Sequence, residues 1–285
     1  MPHPTTILPT NPFPGIGAPF IELESVDSTN NYAMAQVHAG KASHGALFFA
    51  HEQWAGKGQR GKTWASAPGE NLIVSVVVEP VFLPIPQSFL LSMVIALSAY
   101  DLFSRYAGPD DCSIKWPNDL YWRDRKAGGI LIENSFRGDQ WLAAIAGIGM
   151  NINQVQFPEA LRKAVSLRQI TGRSFNAVEL ARELAECMEQ RYRQLRAEWE
   201  TAKKEQPSGA DPLLQAYNAR LYKRGEAVHL KKDGEVLERR VREVSAAGEL
   251  VTGRAETGIL KKPGEQADTE EQRFRFGEVE WVIGE

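Results

Sequence analysis

The 285-residue sequence sets 33 lysines and arginines against 36 aspartates and glutamates, a net charge of -3 at pH 7. That balance excludes a nucleic-acid binder held by a large basic surface, although a local patch stays open. A composition of 43% hydrophobic and 24% charged residues is that of a globular protein, long enough for one large domain or two. Cys112 and Cys187 form neither a disulfide framework nor a paired metal-ligand spacing, so a reducing cytosol is the simplest compartment. The N-terminus, MPHPTTILPTNPFPGIGAPF, has no basic region followed by an apolar one and is not a signal peptide. Its prolines predict an extended arm over residues 1–19.

Strand signals follow in FIELESV from Phe20, ALFFAHEQ from Ala46 and LIVSVVVE from Leu72. Between the first two, Asp27, Ser28 or Thr29 can cap a helix that Gly40 ends. The segment FLLSMVIALSAYDLF is too short and too polar to span a bilayer. It predicts a buried helix from Ser88 to Tyr106, apolar nearly all round. SIKWPNDLYW, KAGGILIENSF and QWLAAIAGIGMNIN then alternate as a meander of antiparallel strands. From Asn176, with Glu179 three residues later as in a capping box, an amphipathic helix runs towards Lys203. A polar break, KKEQPSGADP, leads to a shorter helix ending near Leu221. After Tyr222, short strands at regular spacing, with Asp233-Gly234 as a hairpin turn, predict a small β-barrel. KKPGEQADTEEQ reads as a solvated loop. The fold class is α+β with a C-terminal barrel.

The stretch GKGQRGKT, from Gly56 to Thr63, matches both a Walker A box and a dinucleotide fingerprint. Either would need a helix to start at its end. Pro68-Gly69 and the strand from Leu72 forbid one, so both matches are accidental. What remains is a glycine loop between strands bearing Lys57, Arg60 and Lys62, either a basic surface hairpin or a wrapper for an anion. In SIKWPND, Ile114 and Trp116 point to one face and Lys115 to the other. Lys115 is then a snorkelling edge residue or a site cation, with Asp119 forming the turn. Gly128-Gly129 after Lys126 marks a close approach by a helix or by a ligand. Along WLAAIAGIGMNIN, Leu142, Ala144, Ala146, Ile148, Met150 and Ile152 form an apolar face. The opposite face passes from Ile145 to Gly147, Gly149, Asn151 and Asn153. A face that loses volume and then turns polar suits the floor of a ligand site, or else close backbone packing. His3, His38, His44, His51 and His229 form no metal-spaced cluster, and no nucleophilic triad is suggested. Cations without a base fit stabilisation of an anionic transition state, as when a carboxylate attacks the α-phosphate of ATP.

DSTNNYA, EQWAGKGQRGKTW, KWPNDLYW, RKAGGILIE and GIGMNIN occur in the order and spacing of the biotin protein ligases, and FRFGEVEWVI looks like the close of that family's last domain. The chain resembles that family from Phe20 to its end. The resemblance implies a class II aminoacyl-tRNA synthetase-like catalytic domain over 20–222, a mixed, largely antiparallel sheet with helices. It also implies an SH3-like β-barrel over 223–285. It implies biotin, ATP and Mg2+, formation of biotinyl-5'-AMP, and transfer to a lysine of the biotin carboxyl carrier protein of carboxylases. Carried over, Ser28, Thr29, Asn30 and Gln53 meet biotin, and Gly56, Lys57, Gly58, Gln59 and Arg60 fold over the biotinyl-adenylate. Lys126 contacts the biotin carboxylate and α-phosphate as the central electrostatic group. Arg60, Trp64, Lys115, Asn118, Gly129 and Asn151 surround the nucleotide. The chain departs from the family's G-R-G-R-R-G loop at Lys57 and Gln59, losing a bidentate fork at one and a charge at the other. No recognition helix fits in the arm before Phe20, so the expectation is a cytoplasmic monomer or homodimer without DNA or membrane binding. The rivals are a lipoate or octanoate ligase-transferase of the same fold and a non-enzymatic biotinyl-adenylate binder.

Overall fold

A computed structural model describes residues 15–202, 212–255 and 271–283. Most of the expected N-terminal arm, the polar break after the long helix and the loop expected at 261–272 lie outside the described residues. The first sheet contains β1 (Phe20–Val26), β2 (Leu47–Gln53), β3 (Leu72–Val78), β4 (Cys112–Lys115), β5 (Asp119–Trp122), β6 (Arg125–Arg137) and β7 (Gln140–Met150). Their order is β1-β2-β3-β7-β6-β5-β4. β1 and β2 pair in parallel across helix α1 (Thr29–His38), and the other neighbours are antiparallel. The sheet is thus mixed, as expected. The last four strands form the anticipated meander.

Period-two alternation divides the sheet into two unlike faces. Leu47, Phe49, Val74, Val76, Ala144, Ala146, Ile148 and Met150 face α2 (Ser88–Ala107), which packs in turn against α4 (Ala177–Ala202). On the opposite face Phe48, Val77, Ala143 and Ile145 pack beneath α1 with Ala33. Beyond the start of α1 that face has no helix over it among the described residues, and the candidate site lies there. The sequence reading underrated α2 in one respect. With the preceding turn, Ile85–Ala107 is a 23-residue segment whose most apolar 18 residues have mean hydropathy 1.4, long and apolar enough to cross a membrane by length and composition. Most of that stretch is buried inside the protein, against the sheet and α4, so it is a core helix as expected but not for want of length.

The outer edge of β4 is covered by the chain after α5 (Pro212–Ala219): the Ile114 N–H donates to Arg220 O (2.8 Å) and the Tyr222 N–H to Ile114 O (2.9 Å). This closes an edge that would otherwise offer unpaired backbone groups. The chain then forms a second antiparallel sheet of β8 (Ala227–Lys232), β9 (Glu235–Val244), β10 (Leu250–Arg254), β11 (Gln272–Phe274) and β12 (Glu280–Val282), in the order β11-β10-β9-β8-β12. Asp233 (φ 50°) and Gly234 (φ 91°) make the expected two-residue hairpin turn. Among the described residues the outer strands β11 and β12 do not pair, so a five-stranded sheet is seen rather than a closed barrel.

The two sheets share one continuous apolar core. Polar ties also fasten the second sheet to the first sheet and its helices. Trp116 Nε1 donates to Gly248 O (2.9 Å), and Trp281 Nε1 donates to Trp116 O (3.0 Å). Buried Asn218 both donates to Val244 O (2.9 Å) and accepts from the Val244 N–H (2.7 Å). Asn218→Ala leaves both backbone groups buried without partners and should cost about 2–4 kcal/mol, read in urea unfolding. A loss near zero would mean that Val244 is not fastened through this side chain.

Candidate functional site

The cleft is built from the register of β7. Gly147 stands between Ser75 of β3 and Leu131 of β6, and Gly149 between Ile73 and Gly129. Lacking side chains, these glycines lower the sheet surface just past the part that α1 covers. The space is shared. A Cβ on Gly147 would come within 2.3 Å of Asn30 Oδ1, and one on Gly149 within 2.4 Å of the Trp64 ring. Packing and ligand floor were both open readings of this face, and the structure shows side chains, not backbone, lying on it. The cleft is narrow: its enclosed space is about 60 Å³, and the rest of it lies open to solvent.

One end is polar. Ser28, Thr29 and Asn30 begin α1 and are 2–3% exposed. Gln53, at the end of β2, accepts from the Thr29 N–H (2.7 Å) and Thr29 Oγ1 (3.0 Å) through one oxygen. Ser75 Oγ stands between Thr29 Oγ1 (2.7 Å) and Asn30 Oδ1 (2.6 Å). Asn30 Nδ2 donates to Glu133 Oε2 (2.8 Å). Ser28 precedes the helix in extended conformation but makes no side-chain cap bond. Its hydroxyl therefore lines the cleft uncommitted to the helix.

The glycine loop closes a second wall. It is a hairpin, not a helix start. Lys57 pairs with Thr63, the Gly58 N–H bonds Lys62 O (2.6 Å), and the Trp64 N–H bonds Gly56 O (2.9 Å). A Cβ on Gly56 would lie 2.4 Å from Trp64 O, so this glycine serves the hairpin's own close approach. Arg60 sits at its tip in left-handed conformation (φ 55°, ψ 40°). Lys57 Nζ reaches back to Glu133 Oε1 (2.6 Å) and Asn31 Oδ1 (3.0 Å). Arg60 instead meets Glu280 of β12 at 3.4 Å.

The other end is cationic and centred on Asp119. Its Oδ1 lies 2.7 Å from Lys126 Nζ and its Oδ2 3.9 Å from Lys115 Nζ. Lys126 also stands 5.8 Å over the Trp64 ring. Lys115 has only 11% of its side chain exposed. Burial holds its ammonium down at about 8, the Asp119 charge opposing that shift and the Lys126 and Lys62 charges adding to it. Lys126 is fixed by backbone: its N–H donates to Lys163 O (2.7 Å) and its carbonyl accepts from Val165 N–H (2.9 Å).

Of the residues singled out in the sequence, Ser28, Thr29, Asn30, Gln53, Lys57, Gly58, Gln59, Trp64, Asn118, Lys126 and Gly129 line this one cleft. Gly56 lies behind the wall, Arg60 turns towards the C-terminal sheet, and Lys115 sits behind Asp119. Asn151 is 4% exposed, with Nδ2 directed to the Lys126 and Val165 carbonyls (both 3.3 Å). Three participants escaped the sequence reading. Asp119 was assigned only to the turn, whereas Ser75, the lone polar residue within LIVSVVV, and Glu133, the charge closing ILIE, did carry a signal. Among the described residues no three histidines, cysteines or carboxylates converge to hold a metal.

The indole on the floor makes a prediction about stability. Gly149→Ala should cost about 1–3 kcal/mol through overpacking, and Trp64→Ala should relieve much of that cost. Strictly additive losses in a double-mutant cycle by urea unfolding would mean that the ring does not lie on Gly149.

Comparison with known proteins gives a consistent result. Residues 22–151 match the biotin/lipoate A/B protein ligase family. The biotin–[acetyl-CoA-carboxylase] ligase of Paracoccus denitrificans is 37% identical over 131 residues, 46% of this chain and 53% of that protein. The bifunctional ligase/repressor BirA of Escherichia coli is 34% identical over 143 residues, 49% of this chain and 42% of that protein. The chain thus spans about half the length of the curated relatives it matches. Among solved structures, the biotin protein ligase from Aquifex aeolicus in complex with biotin and ATP superposes with a TM-score of 0.68. That match covers 95% of this chain and 100% of the other at 23% identity, a likeness of fold.

Proposed function

We propose, from the premise that residues 22–151 form a biotin/lipoate A/B protein ligase domain, that this chain is an ATP-dependent biotin protein ligase acting on the biotin carboxyl carrier protein of carboxylases. The observation that carries the reading is one cleft with a buried polar end and a cationic end. A ureido ring needs donors and acceptors out of water. Ser28, Thr29, Asn30 and Gln53 supply them. A dithiolane or a plain acyl chain would offer no partner to the Ser28 hydroxyl, which makes no cap bond, and this disfavours a lipoate or octanoate ligase.

In the first step a biotin carboxylate oxygen attacks the α-phosphorus of ATP. The bond to the pyrophosphate oxygen breaks, and biotinyl-5'-AMP and pyrophosphate form. Two anions must meet, and Lys126 stands at the cationic end beside the Trp64 ring, where this reading joins the carboxylate and the α-phosphate. There its ammonium offsets charge that grows in the transition state. Asn118, Gly129 and Trp64 line the nucleotide side, Lys115 adds charge from behind Asp119, and Lys57, Gln59 and Arg60 belong to the loop that folds over the adenylate. In the second step a carrier lysine amine attacks the acyl carbon, AMP departs, and the amine loses a proton. Magnesium enters this reading with the ATP phosphates, which supply most ligands of such ions. No protein ligand is assigned to it. The C-terminal sheet is read as the family's SH3-like barrel, residues 20–222 as the catalytic domain, and the cytosol as the compartment.

Biotin-dependent exchange of labelled pyrophosphate into ATP tests this directly. Exchange with biotin is expected, while exchange with lipoate or octanoate but not biotin would overturn the reading. Lys126→Ala should fold and lose about 10²–10³-fold in exchange. Undiminished exchange would remove Lys126 from the central role.

A further inference from the structure

The C-terminal sheet reaches the cationic end through Trp281. Trp281 of β12 lies across Lys115, with Nζ 5.4 Å from the indole, while the Tyr121 ring stands 5.2 Å from the same ammonium. Tyr222 packs behind that indole (5.8 Å between ring centroids). The indole is held by its Nε1–H, which donates to Trp116 O, the carbonyl immediately after Lys115. Lys115 is therefore enclosed by two aromatic faces and one carboxylate at 3.9 Å.

We infer that Trp281 is a positioning residue for adenylation: its indole roofs Lys115, excludes water from the ammonium and holds it against Asp119. This extends the ligase reading and rests on it for the use made of Lys115. An aromatic face attracts a cation without neutralising it. The charge left beside Asp119 is therefore less hydrated and less compensated than that of a surface lysine. It is poised to act on an arriving phosphate. The charged groups facing it are Asp119 of β5, Lys126 of β6 and Lys62 of the glycine loop. Among the described residues of the C-terminal sheet, Trp281 supplies the roof and none is an ion-pair partner of Lys115.

The sign of the effect separates this role from a merely structural one. Burial, the largest influence, holds the Lys115 ammonium at about 8 against the usual 10.5. A lysine so shifted loses its charge as pH rises through 8, so kcat/KM for ATP should fall above that pH. Trp281→Ala readmits water, which moves the Lys115 titration and the alkaline limb of kcat/KM upward together. The same variant should lower kcat/KM below that limb by about tenfold. Trp281→Phe keeps a ring face and loses the hydrogen bond, so its limb should stay near the wild-type position.

The experiment is an NMR titration of 13C-labelled lysine in the full chain, with Lys115 assigned from a Lys115→Arg variant, run beside the kcat/KM profile. A wild-type Lys115 titrating at the usual 10.5 would overturn the inference, as would a limb unmoved in Trp281→Ala. So would a Trp281→Phe variant as impaired as Trp281→Ala, which is what a tie between sheets alone predicts. The titration needs neither biotin nor ATP. A depressed Lys115 that Trp281→Ala raises, in a chain without biotin-dependent exchange, would overturn the ligase reading and the use of Lys115 in it. The control of Lys115 by Trp281 would stand.

Discussion

The carboxylate of Asp119 between Lys126 and Lys115 is the interaction on which the arrangement of the site depends. Two ammonium groups brought together at one end of a cleft repel each other, and one of them is nearly buried. Without a shared counter-charge, burial would discharge Lys115 or push it out to solvent. Asp119 opens β5 directly opposite Lys115 in the hairpin register, while the bulge after Leu120 sets Lys126 against Tyr121. Strand geometry thus delivers both lysines to one carboxylate. The pairing is unequal, tight to Lys126 and loose to Lys115, so the cluster retains positive charge for an anionic ligand.

The rest of the fold makes room beside that cluster. Period-two alternation puts Ile148 and Met150 of β7 towards α2 and leaves Gly147 and Gly149 on the opposite face, and the cleft opens where α1 begins. The same sheet thus serves as core on one face and site on the other. Glu133 and Ser75 fasten the start of α1 and the glycine loop to this sheet through Asn30 and Lys57. The exposed Lys57–Glu133 pair contributes little stability; its use is to fix where the loop wall stands.

Much of this was legible in the sequence because its signals are local. Strand alternation, the Asp233-Gly234 turn and the apolar stretch of α2 each depend on residues close in the chain. The two false phosphate-loop matches were separable from the real loop because Pro68-Gly69 forbids the helix both require. What escaped depends on register and on contacts between distant segments. Nothing in KWPND shows that Asp119 answers two lysines, one of them seven residues later across a bulge. Nothing near Lys115 announces Trp281, which arrives from the end of the chain. Asn151 had the right pattern of a polar residue ending a glycine face, yet its amide turns to the carbonyls of Lys126 and Val165. Alternation gives the face of a side chain but not which backbone groups will claim it.

Under the proposed ligase reading, single-turnover formation of biotinyl-5'-AMP by Asp119→Asn, followed against pH, tests the central claim most directly. The carboxylate's charge raises the Lys115 pKa, while burial and the Lys126 and Lys62 charges lower it. Its removal should therefore move the Lys115 pKa below about 8 and carry the alkaline limit of the reaction down with it, with the rate at neutral pH down by about 10²-fold. An Asp119→Asn protein that forms the adenylate at the wild-type rate, with its alkaline limit unmoved, would contradict the account.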